Sequence, residues 1–130
     1  MNIATLRAEG SDAALTSLRE AFNLEVDAGW KKGEPRRRGG VHERSGLNAC
    51  IADVASATML VAEIQAFLAM CLTRRELFSS ELSAQVDIGI TVGERGRYFA
   101  SVVLPPNVLK VLAELGIELR VSAYPGSDDE

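Results

Sequence analysis

Two alternating runs in the second half of the chain constrain its fold most. Val86, Ile88, Ile90 and Val92 alternate with Gln85, Asp87, Gly89 and Thr91, and the pattern resumes in Tyr98, Ala100, Val102 and Leu104. A period of two sends alternate side chains to opposite faces, so each run reads as a strand with one buried face. The intervening Gly93 to Gly96 is turn chemistry, and together the runs predict a β-hairpin. Pro105 and Pro106 end it, and Pro106 suits the first turn of a helix carrying Val108, Leu109, Leu112 and Leu115. Gly116 is a natural C-terminal cap for that helix, and Ile117, Leu119, Val121 and Ala123 form a last strand that Pro125 closes.

The first half carries the same two signals. Ala4, Leu6 and Ala8 alternate with Thr5 and Arg7, which predicts a half-buried strand. Ser11 caps a helix over Asp12 to Phe22, with Leu15, Leu18 and Phe22 at helical spacing. Leu24 and Val26 lead by a short extended piece to Trp30, and Leu47 to Val54 returns to strand. Ser56 caps a second helix, in which Leu60, Ile64, Phe67, Leu68 and Cys71 form an apolar stripe wide enough to lie across a sheet. Thr73 and Glu76 have capping-box spacing, predicting a short further helix to about Ser80. The expected fold is α+β: a mostly antiparallel sheet of about five to six strands, with helices packed on one face. Residues 1–125 form one domain, 31–46 are a basic loop within it, and 126–130 are an acidic tail.

Hydrophobic residues make up 47% of the 130 and charged residues 25%, which is globular rather than disordered composition. The longest apolar-rich run, Ala57 to Leu72, is interrupted by Glu63 and Gln65 and is shorter than the roughly 20 residues a bilayer requires. With no secretory pattern at Met1 to Ala8, the expectation is a cytoplasmic protein without a membrane role. Cys50 and Cys71 lie in apolar stretches without metal-site spacing, so both read as inert buried thiols in a reducing compartment. The net charge of −4 argues against a general nucleic-acid binder. Its distribution is uneven, because Lys31, Lys32, Arg36, Arg37, Arg38 and Arg44 crowd one segment against only Glu34 and Glu43.

Little in the chain resembles catalytic machinery. His42 is the only histidine and sits in the basic loop, where no rigid shell orients it as a base. Three scattered Cys and His residues do not make a zinc site, and no cofactor or metal is expected. Asp53 and Asp87 lie on strands, where they are either a carboxylate pair or solvated strand faces. Gly89, Gly93 and Gly96 fall in and around a hairpin rather than between a strand and a helix, so they are not a phosphate loop. Arg36, Arg37 and Arg38, with Lys31 and Lys32 close by, suit phosphate or an acidic protein face, or simply keep the loop in water. Trp30 either packs under the loop or anchors a partner.

The segment Gly29-Trp30-Lys31-Lys32-Gly33-Glu34 resembles the W-x-x-G-[DE] signature of a family of small bacterial domains of unknown function. The strand Val86-Asp87-Ile88-Gly89-Ile90, and the ending Leu112 to Gly116 followed by Ile117 to Tyr124, are similar to that family in the same order. Family members often have an aromatic residue in the strand after the basic loop, where this chain has Leu47 and Ile51. The family has no established activity, and some members are encoded beside polymorphic toxins as presumed immunity proteins. The resemblance therefore implies a non-catalytic protein that binds a cognate toxin domain and occludes its active site. The alternative is a regulatory domain binding a small anion or nucleotide. Candidate partner-binding residues are Trp30, Lys32, Glu34, Arg36, Arg37, Arg38 and His42.

Overall fold

The computed structural model describes residues 2–93 and 99–126. Five strands form one sheet: β1 (Asn2–Gly10), β2 (Val26–Trp30), β3 (Ser45–Val54), β4 (Leu82–Val92) and β5 (Ile117–Pro125). Their spatial order is β2-β3-β1-β4-β5. Every neighbouring pair is antiparallel except β4 and β5, which run parallel with Ala84 opposite Ile117. Helices α1 (Asp12–Phe22), α2 (Ala57–Thr73) and α3 (Pro106–Leu115) complete the α+β fold.

All three helices pack on one face of the sheet. Ala4, Leu6 and Ala8 of β1 and Ala84, Val86 and Ile88 of β4 point to that face and are buried. They meet Leu15 and Leu18 of α1, the Leu60, Ile64, Leu68 and Cys71 stripe of α2, and Val108 and Leu112 of α3 in one core. Phe22 bridges the helices, stacking edge-on to Phe67 at 5.9 Å and offset to Phe78 at 6.3 Å. The helix ends follow the sequence signals. The hydroxyls of Ser11 and Ser56 accept from the amides of Ala14 and Met59, and Gly116 adopts the left-handed conformation that ends α3. No described helix is long and apolar enough to cross a membrane.

The structure corrects three expectations. The predicted hairpin keeps its first strand as β4, but residues 99–104 form no strand, and Tyr98 lies outside the described residues. Both edges of β4 are already taken, by β1 and by β5, so no ladder remains for a sixth strand. Val102 and Leu104 instead dock on the core as irregular chain leading into α3. The capping box at Thr73 is absent, because its hydroxyl donates back to the Met70 carbonyl and Glu76 pairs with Arg74 at 2.6 Å. Only a short 3-10 turn, Arg75–Leu77, follows. Cys50 is exposed rather than buried: alternation from the buried Leu47 and Ala49 puts it opposite Thr5 on the sheet face away from the helices.

The basic loop lies between β2 and β3, and its cross-bonds over residues 31–44 extend that pair into a hairpin. The Gly33 amide donates to the His42 carbonyl at 2.8 Å, and the His42 amide donates to the Glu34 carbonyl at 2.9 Å. Pro35 and Val41 form a further bridge, and the Arg36 amide reaches the Gly40 carbonyl at 3.0 Å. Gly39 and Gly40 at the tip have φ of +95° and +74°, values that glycine adopts without steric penalty. The three consecutive arginines therefore sit at the tip of an ordered projection.

Candidate functional site: an arginine groove on the open sheet face

The face of the sheet opposite the helices is polar and half-exposed. Register places its residues in rows across the strands. One row runs Trp30, Gly46, Glu9 and Ser83, and the next runs Asn48, Arg7, Gln85 and Glu118. A third contains Cys50, Thr5, Asp87 and Arg120. The basic hairpin leaves the sheet at the end where these rows begin. Arg44 ties its exit strand down by donating to the Ser83 hydroxyl at 2.8 Å and to the Glu81 carbonyl at 3.0 Å.

The hairpin tip and the sheet together form a groove of about 510 Å³. Arg36 and Arg38 of the tip line it with Arg7 of β1 and Arg120 of β5. Glu9, Gln85 and Glu118 contribute the remaining polar walls. Four arginines from three separate parts of the chain thus line one hollow with two acidic residues, Glu9 and Glu118. Glu9 is already engaged, accepting from Arg7 Nη2 at 3.0 Å and Nε at 3.3 Å. Among the described residues, Arg36, Arg38 and Arg120 have no ion-pair partner.

Trp30 organises the base of the hairpin. Its ring packs on Gly46, its cross-strand partner, where any side chain would collide with it. The Arg7 guanidinium lies 4.6 Å from the ring centroid, and the His42 ring stacks at 5.1 Å with 21° between planes. An exposed cation–π contact of this kind contributes roughly 0.5–1 kcal/mol and fixes the orientation of Arg7. Trp30 Nε1 is buried without an acceptor among the described residues. Trp30 is thus a packed residue that also holds a groove residue in place.

Of the seven candidate residues, the structure brings four to the open face: Arg36 and Arg38 in the groove, and Trp30 and His42 in the stack beside it. Lys32 and Glu34 lie elsewhere. The Lys32 amide donates to Ser45 Oγ at 3.0 Å, and its side chain borders a shallow hollow with Asp12, Glu43 and Arg44. Glu34 accepts from the Lys31 amide at 2.7 Å and borders a hollow of about 270 Å³ on the α1 side. Asp12 there is held below the usual carboxylate range, first by the Ser45 hydroxyl and then by the Lys31 ammonium. Arg37 is not among the residues that line the groove. Arg7 and Arg120 are the residues that sequence reasoning missed. Their alternation marked them as polar-face residues, but only the strand order brings them under the hairpin.

Asp53 and Asp87 do not converge. They flank β1 on β3 and β4, Asp53 opposite Ile3 and Asp87 opposite Thr5, two strands across and two residues along and thus about 12 Å apart between backbones, and Asp87 accepts from the Ser122 hydroxyl at 2.9 Å. That separation removes the carboxylate-pair reading of these residues. No group of three or more potential metal ligands occurs among the described residues. No family model, curated protein or solved structure matches this chain.

Proposed function

We propose that this is a non-catalytic binding protein that engages its partner through the open sheet face beneath the arginine hairpin. The convergence of Arg36 and Arg38 with Arg7 and Arg120 in one groove supports this reading most directly. Like charges gathered on a common hollow repel one another, so the arrangement favours an anionic partner that relieves the repulsion. The helices and core hold the sheet rigid behind it, and a pre-organised surface loses little entropy on association.

The partner implied by the sequence resemblance is a cognate bacterial toxin domain in the cytoplasm, neutralised by occlusion of its active site. The hairpin would enter or cover that site, with Trp30 and His42 bracing its base and the arginines meeting acidic groups of the toxin. Co-expression with the product of the adjacent gene, followed by pull-down and a growth assay, tests this reading. It predicts a one-to-one complex and restored growth; a toxic neighbour that neither binds nor is neutralised removes the toxin reading. The groove itself favours a second reading, a site for a small anion or nucleotide, because its volume lies within the 300–1,000 Å³ usual for ligand pockets.

A further inference from the structure

We infer that the groove between the hairpin tip and the open sheet face binds a ligand carrying a diphosphate group, with Arg7, Arg36, Arg38 and Arg120 as its phosphate contacts. The inference rests on the open face being the binding surface, and it does not require that the protein partner be a toxin.

Three observations lead to this ligand class. First, the cations are all arginines, whose planar forks make paired hydrogen bonds to phosphate oxygens, whereas Lys31 and Lys32 lie outside the groove. Second, they come from opposite walls. Arg7 and Arg120 are borne by strands on the floor, and Arg36 and Arg38 by the hairpin above, so a ligand is clasped from two sides. Third, the charges do not cancel. With Glu9 paired to Arg7, only Glu118 opposes the other three guanidiniums. Glu9 already occupies the Nε–Nη2 edge of Arg7, which leaves the forks of Arg36, Arg38 and Arg120 on both the hairpin and the sheet, and two linked phosphates present oxygens to both at once. Gln85 and Ser83 supply neutral hydrogen-bonding groups on the floor. About 510 Å³ leaves room for an organic group beyond the diphosphate.

The test uses the full chain and the fluorescence of Trp30, its only tryptophan, whose ring carries Arg7. Pyrophosphate, a nucleoside diphosphate, orthophosphate and a short single-stranded oligonucleotide are titrated separately at low salt, with calorimetry as a second readout. The expected result is saturable one-to-one binding of pyrophosphate and the nucleoside diphosphate, with orthophosphate at least tenfold weaker. Arg38→Gln and Arg120→Gln should each weaken pyrophosphate by about tenfold or more, as the loss of a charge-assisted contact implies. Arg37→Gln removes the same charge outside the groove and should change binding less than threefold. Equal losses in all three variants overturn the inference, since they mark non-specific charge attraction. Binding of the oligonucleotide without pyrophosphate, or of none of the four, also overturns it. If Arg36→Gln/Arg38→Gln abolishes capture of the adjacent gene product while wild type ignores pyrophosphate, this inference fails and the protein-partner reading stands.

Discussion

The Trp30 ring rests on Gly46, its partner across the β2–β3 ladder, and the absence of a side chain at Gly46 is what lets it lie there. A methyl at Gly46 would overlap the ring atoms, so Gly46→Ala forces the indole off its seat. We expect a loss of about 1–3 kcal/mol in denaturant unfolding, typical of overpacking, with a changed tryptophan emission. Gly29→Ala is the control. An added methyl there meets only ordinary contacts, at 3.6 Å from the Gly46 carbonyl and 3.9 Å from Val26, and should leave emission unchanged.

The two cysteines should differ sharply in reactivity. Cys71 is fully buried in the core and its thiol is pushed up to about 12 by burial. Cys50 is exposed, and its thiol is raised first by partial desolvation and then by the Asp27 and Asp53 carboxylates. A thiol reagent at pH 8 should label Cys50 slowly and Cys71 only when the chain unfolds. Rapid labelling of both in native buffer would contradict the packing of α2.

The raised Cys71 value also has a stability consequence with a definite sign. Below the unfolded pKa near 9 the thiol is neutral in both states, and its burial contribution is fully present. As pH rises from about 9 towards 12 the unfolded state ionises first, so this contribution is progressively lost. The difference in stability between wild type and Cys71→Ala should therefore shrink over that window and stay constant between pH 6 and 8.

Ser11 satisfies the Ala14 amide at 3.1 Å at the start of α1. Ser11→Ala should cost about 1 kcal/mol, whereas Arg38→Gln, at the exposed hairpin tip, should stay within about 0.5 kcal/mol of wild type. Thermal or urea unfolding checks both. A large loss from Arg38→Gln would show that the tip arginines serve the fold rather than a ligand.

Legibility in the sequence followed the range of the physical cause. Ser11, Ser56, Pro106 and Gly116 act on their own helix ends, and α1, α2 and α3 begin or end where those residues stand. Alternation assigned the faces of β1 and β4 correctly, because it needs only a core on one side. Pairing partners were not legible. The alternation of residues 98–104 matches a strand, yet a strand exists only if an edge is free, and β5 had taken that of β4 through the α3 crossover. The candidate site divided in the same way. The arginine triplet was visible as composition, but its meeting with Arg7 and Arg120 depends on the order β2-β3-β1-β4-β5, which no local pattern encodes.

The central claim is that the open sheet face under the arginine hairpin is the binding surface. The most direct test is hydrogen–deuterium exchange of the protein alone and in complex with the product of the adjacent gene. The account predicts added protection in the hairpin, residues 31–44, and in β1 and the groove end of β4, with α2 and α3 unchanged. Protection confined to the helical layer, with the hairpin exchanging as in the free protein, would contradict it.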